Sequence, residues 1–179
     1  VTTAAARAAD RRAGQALEAT LVDATSGLRV RWRMLLRDGG SYVRQDLEFV
    51  APKGVDLSAL SLIELDLPGS RVLGSVSGSP IITDEAFFGF EHPMAEARVI
   101  GGHASMRLRR VLPLRPDVAA RYSAVFGAVP AGQLRRGFQA YLENERAAPF
   151  RTFLHYNSWY DIGYFTPYTA TEALSVVRA

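Results

Sequence analysis

Apolar residues recur at every second position through most of the first two thirds of the chain. Leu17 to Asp23 reads as a strand. Leu28, Val30, Trp32 and Met34 then alternate with Arg29, Arg31 and Arg33. After Asp38-Gly39-Gly40 the alternation resumes with Val43, Gln45, Leu47 and Phe49. A period of two puts one apolar and one polar face on a strand, and the glycines supply the positive φ of a turn, so this pair predicts an antiparallel hairpin. Trp32, on the apolar face, is expected in the core rather than as a sugar-stacking platform. Leu60, Leu62, Ile63, Leu65 and Leu67 slip phase once, which predicts a bulge. Arg71 to Val76 predicts a further strand, and Gly74, Gly78 and Pro80 predict a tight turn or a close backbone approach. Their spacing fits no phosphate-binding loop.

The stretch from Ile81 to Pro93 contains Phe87, Phe88 and Phe90 around Gly89. Adjacent strand residues point opposite ways, so Phe87 and Phe88 require apolar neighbours on both sides. The same rule keeps Glu91 and His92 from converging on one ion, and they are expected in an exposed or hydrogen-bonded turn. Val99 to Gly102 and Met106 to Leu114 predict another hairpin, with His103 at its tip as a surface residue. Pro113 and Pro116 are expected to end the sheet region. The predicted architecture is mainly β: an antiparallel β-sandwich over residues 1–116.

The period then changes. Asp117 to Phe126 reads as a transition. Leu134, Phe138, Tyr141 and Leu142 lie at i, i+4, i+7 and i+8, one stripe of a helix expected to start near Pro130. This helix forms a linker over 117–150. From Thr152 to Tyr156 a short apolar run predicts a strand, followed by a polar-aromatic loop. Thr169-Ala170-Thr171-Glu172 is a capping box opening a helix with Ala173, Leu174, Val176 and Val177 on its apolar side. Strand, loop and helix over 151–179 match the first βα unit of a (β/α)8 barrel, truncated here, in which residues just past the strand face the substrate.

Composition narrows the picture. Of 179 residues 48% are hydrophobic and 22% charged, a globular balance. The formal charge is only +3, and Lys53 is the one lysine among 21 basic residues. Arginines placed singly at alternating positions do not predict a phosphate- or nucleic-acid-binding surface, and Arg7, Arg11 and Arg12 are expected to be solvated. There is no cysteine, hence no disulfide or thiolate metal site. No run is long enough to span a bilayer. No metal or other cofactor is expected. The chain opens on Val1 rather than Met, which predicts a processing boundary and is compatible with a removed secretion signal.

The run Tyr156-Asn157-Ser158-Trp159 resembles the Asn-Ser-Trp signature on the first barrel strand of the α-galactosidase and α-N-acetylgalactosaminidase clan of glycoside hydrolases. The order of sandwich, helix and barrel start resembles the larger members of that clan. Gly78-Ser79-Pro80 through Phe87-Phe88-Gly89-Phe90-Glu91-His92-Pro93 resembles the sandwich of bacterial proteins in the group. His155-Tyr156 stands where the simplest members carry Gly-Trp, and the sandwich is shorter than in the large α-galactosidases. The resemblance implies a carbohydrate substrate, with the nucleophile and acid on later barrel strands expected beyond Ala179. No catalytic pair is therefore assigned within the chain, and the chain alone is expected to be inactive. Glycoside hydrolysis needs two carboxyl groups about the anomeric carbon. Asn157, Trp159, Tyr160 and Asp161 are the candidate substrate-binding residues, Asp161 for hydroxyls and Trp159 as a stacking wall. The alternative places Trp159 and Tyr160 under the barrel floor and makes Asp161 a turn cap. His155 is expected inside the strand as a satisfied interior residue rather than a base. The rival function is a non-catalytic carbohydrate-binding or interaction sandwich.

Overall fold

The computed structural model describes residues 7–148, 150–152, 155 and 157–178. The chain divides into two units, 1–149 and 150–179. The first is mainly β. Its strands are β1 (Gly14–Val22), β2 (Arg29–Arg37), β3 (Tyr42–Val50), β4 (Ala59–Asp66), β5 (Arg71–Val72), β6 (Ile81–Ile82), β7 (Ala86–Phe90), β8 (Glu96–Ile100), β9 (His103–Arg109) and β10 (Ala120–Ala128). They form a seven-stranded sheet ordered β1-β2-β3-β10-β7-β6-β5 and a three-stranded sheet ordered β4-β9-β8. All pairings are antiparallel.

One core lies between the two sheets. Leu60 and Ile63 of β4 and Met106 and Leu108 of β9 meet Phe49, Ile81, Phe88, Phe90 and Ala124 of the large sheet. Each fully buried side chain of this size contributes about 1.5–3 kcal/mol by leaving water. The expected β2–β3 hairpin forms, with Trp32 opposite Leu47 and Val30 opposite Phe49. The predicted phase slip is a bulge between Ser61 and Ile63. It explains the one amide on the apolar face of β3. Buried Gln45 donates from Nε2 to the Leu62 carbonyl at the bulge (2.8 Å) and accepts from half-buried Trp32 Nε1 (3.0 Å). The close approach expected near Gly78 also forms. Its N–H donates to the Ala95 carbonyl, φ is 81°, and an added Cβ would meet the Pro93 backbone at 3.1 Å.

The sheet region does not end at Pro116. β10 runs down the middle of the large sheet between β3 and β7, so the sandwich extends past the expected boundary. Ala120, Tyr122, Ala124 and Phe126 pack on the inter-sheet core, while Val125 packs on its opposite side. From Ala124 to Gly127 the strand is covered on both faces, by the inter-sheet core and by the helix over Leu134–Glu145, and shows little contrast between them, which hides it as a transition. Conversely, β5 is only Arg71–Val72, shorter than expected before the glycine-punctuated turn.

Phe87 and Phe88 confirm the two-sided requirement: Phe88 lies in the inter-sheet core, Phe87 in a second core on the outer face of the large sheet. Helix α1 (Leu134–Glu145) builds that second core by laying Leu134, Phe138 and Tyr141 on Tyr42, Ile82, Phe87, Val125 and Val129. The expected stripe packs at Leu134, Phe138 and Tyr141 but not at Leu142, which is exposed, and the helix starts at Leu134, after the Pro130–Gln133 turn with Gly132 at φ 74°.

In the second unit, helix α2 (Ala170–Arg178) begins at the expected capping box. The Thr169 N–H and hydroxyl both donate to Glu172 Oε2, at 2.7 and 3.0 Å. The apolar face of α2 has no fully buried residue. The strand expected over 152–156 falls largely on Phe153, Leu154 and Tyr156, outside the described residues; Thr152 and His155 lie in no strand.

Candidate functional site

Two places gather polar side chains into chemistry. The first is the loop singled out by sequence. The Trp159 N–H donates to Asn157 Oδ1 at 3.1 Å, and the N–H groups of Ile162 and Gly163 donate to the Ser158 carbonyl. The turn is thus closed by backbone and by Asn157, leaving the exposed Asp161 carboxylate out of its hydrogen bonds. Trp159 packs edge-on against Tyr164 (4.4 Å between ring centroids) and touches Phe165. The rings remain open to solvent: Trp159 is 48% exposed and Tyr160 90%. The structure brings Asn157 and Trp159 into direct contact, with Tyr160 and Asp161 exposed beside them. His155 is exposed as well, not interior.

The second place was not expected. It follows from which residues of the large sheet face away from the core. The ladder aligns Tyr42 with Gly127 and Phe87, then Arg44 with Val125 and Gly89. Next comes Glu18–Arg33–Asp46–Ser123, and then Thr20–Arg31–Glu48–Arg121. The outer face therefore grades from an apolar end under α1 to a charged end. Glu91 extends the third row, its N–H bonded to the Ser123 carbonyl.

At the boundary sits a network around Arg44 and Glu91, whose side chains are 14% and 18% exposed. Arg44 Nε donates to Glu91 Oε2 at 2.8 Å, and its other nitrogens reach Asp46 Oδ1 (2.5 Å) and Ser123 Oγ (3.0 Å). Tyr141 of α1 donates to Glu91 Oε1 at 2.6 Å, and the Ser123 hydroxyl donates to Oε2. Glu145, one helical turn beyond Tyr141, accepts from Tyr42 at 2.8 Å and lies 3.6 Å from Arg44 and 3.7 Å from Arg7. Burial alone pushes the Glu91 carboxyl up. The bond and charge of Arg44, with the two hydroxyls, outweigh it and hold Glu91 below the usual carboxylate range. Burial works against the Arg44 charge too, but Glu91, Asp46 and Glu145 raise its pKa overall. Burial and the adjacent carboxylates push the Tyr42 and Tyr141 phenols up, so both stay protonated donors.

Beyond this network the face opens into a cleft of about 440 Å³. Its lining includes Arg31, Arg33, Arg121, Asp46 and Glu48. Arg31 and Arg33 share Glu18 (both 3.2 Å), and Arg121 Nε binds Glu48 at 2.6 Å. Arg7 also lines the cleft and is not merely solvated. Glu91 and His92 form part of a hydrogen-bonded turn, as expected, with His92 Nδ1 accepting from the Met94 N–H. Glu91, however, is half-buried in the ion network rather than exposed.

The signal for this cleft was present as alternation. Arginines at every second position of a strand share one face. Arg121 and Ser123 have no aligned partners unless β10 is a strand, and Glu145 shares one side of α1 with Tyr141, four residues before it. On the small sheet, His103 bridges Asp66 (2.8 Å) and Glu64 (3.0 Å) on the surface. Among the described residues no group of three or more His, Asp and Glu is arranged to hold a metal ion. Comparison of the chain with protein-family models finds no match. Comparison with curated proteins finds no significant one either.

Proposed function

We propose that this chain is the N-terminal portion of a glycoside hydrolase acting on α-linked galactose-type sugars. Its β-sandwich precedes the first βα unit of a (β/α)8 barrel whose remainder lies C-terminal to Ala179. The observation that carries this reading is the loop Asn157–Asp161. An amide, two open aromatic rings and an uncommitted carboxylate occur within five residues, after a sandwich and an amphipathic helix. A sugar ring stacks its C–H face on Trp159. Its hydroxyls donate to Asp161 and accept from the Asn157 Nδ2 group, whose oxygen is already used in the turn. The acid and nucleophile come from later strands, so this chain positions sugar and does not cleave it.

Titration of galactose into the 179-residue chain, followed by amide and indole NMR, tests the reading. Shifts are expected at Trp159, Tyr160 and Asp161, and Trp159→Ala should abolish them. Saturating galactose that leaves those signals unmoved contradicts the assignment of the loop.

A second reading, a stand-alone carbohydrate-binding sandwich, draws support from a different observation. Both hydrophobic cores lie wholly within residues 1–149, so the sandwich has the packing of an independent domain.

A further inference from the structure

We propose that the cleft on the outer face of the large sheet is a binding site for a polyhydroxylated carboxylate, a sugar of the uronic-acid class. This goes beyond the reading above and does not rest on it. Three observations converge.

The first is charge. Five arginines and three carboxylates line the cleft, and Glu18 and Glu145 behind the lining bring the charges to balance, so donors and acceptors of both signs face one space. The second is unused donors. Arg121 Nε donates to Glu48, and Arg33 Nε lies 3.2 Å from Glu18 Oε1 as an ion pair without a hydrogen bond. Among the described residues, their Nη amino groups have no partner. A guanidinium with one edge anchored and the other free is an oriented fork, suited to two parallel bonds to a carboxylate. The third is the arrangement of acceptors. Arg33 and Arg121 stand on β2 and β10, on either side of β3, so about 10 Å separates their strands. Asp46 and Glu48 of β3 occupy that gap. Each carboxylate has about four acceptor sites. The Arg44 and Arg121 bonds leave capacity for sugar hydroxyls.

The site is held ready. Glu91, Arg44, Ser123 and Tyr141 fix the inner wall, and Glu18 holds Arg31 and Arg33 on the outer one. An anion alone uses only the forks. A neutral sugar can bond to both but leaves the charge of the forks unpaired. A uronate uses both.

The test is titration of the full 179-residue chain with galacturonate, galactose and inorganic phosphate, read by calorimetry and amide NMR. Galacturonate is expected to bind more tightly than either control and to shift amides of β2, β3 and β10. Arg33→Gln combined with Arg121→Gln should weaken it about tenfold or more, the loss of charged hydrogen bonds. Arg98→Gln, on the small sheet, should leave affinity unchanged. If the double variant does not fold, Arg121→Gln keeps the test, because that side chain is 76% exposed. Equal binding of galactose overturns the anion fork, and equal binding of phosphate overturns the hydroxyl acceptors. No shift in β2, β3 or β10 overturns the site. Signals from 157–161 report the other proposal separately.

Discussion

Glu91 is the residue at which burial and charge are most finely opposed. A carboxylate this enclosed survives because Arg44, Ser123 and Tyr141 all bond to it. Glu91→Gln removes the main counter-charge of an enclosed arginine. Because Asp46 and Glu145 remain and the site is partly wet, the expected loss is about 1–3 kcal/mol, below the full cost of breaking a buried pair. Tyr141→Phe keeps the ring packing and removes one bond to a charge, so it should cost about 1–2 kcal/mol. Urea unfolding measures both. The pH dependence has a fixed sign. The folded-state pKa of Glu91 lies below its ordinary 4.5. Its contribution is therefore complete above that value and is lost as pH falls through the folded pKa, and Glu91→Gln should flatten this acid limb. His103 runs the other way. Its bonds to Asp66 and Glu64 raise its pKa above 6.5, so its contribution is complete below 6.5 and disappears as pH rises through the folded value. An NMR titration of the ring should show a midpoint above 6.5, and Asp66→Asn should lower it.

At the scale of elements, β10 decides how the large sheet closes. Gly127 sits beneath the Phe87 ring, and an added Cβ would lie 2.0 Å from it. The ring is locked edge-on to Phe138 at 5.2 Å and cannot swing aside. Gly127→Ala should therefore destabilise the chain by at least about 1–3 kcal/mol, measured by thermal or urea unfolding. At the sheet edge, β1 is exposed along its whole length and carries Leu17 and Leu21 on one face. An exposed apolar edge invites pairing between chains. Leu21→Lys should reduce self-association in sedimentation experiments, with stability changed by less than about 0.5 kcal/mol. What was legible here follows the same physics. The β2–β3 hairpin, the β4 bulge, the two-sided Phe87-Phe88 pair and the α2 capping box each have one wet face or one local chemical requirement, which sequence displays. β10 has neither along its inner half, and its arginine and serine were read without the strand that aligns them. The charged cleft was therefore illegible although nearly every residue in it lies on an alternating position.

For the molecule as a whole, the two units differ in how much apolar surface each buries. Residues 1–149 contain both cores, so a chain ending at Pro149 should melt cooperatively within a few degrees of the 179-residue chain. A non-cooperative melt would mean that the sandwich depends on the second unit. Residues 150–179 hold an exposed aromatic loop and a capped helix whose apolar side has no fully buried residue. In the proposed enzyme that side packs within a barrel. The sequence displayed this helix through its cap, and the loop through its rings. Neither signal carries the rest of a barrel, which depends on pairing with distant strands. The most direct measurement is hydrolysis of an aryl α-galactoside by the complete product of the encoding gene, beside the 179-residue chain. Turnover is expected of the complete product and none of the 179-residue chain, with a raised KM for Trp159→Ala in the complete product. A complete product with no turnover, or turnover by residues 1–179 alone, would contradict the proposed function.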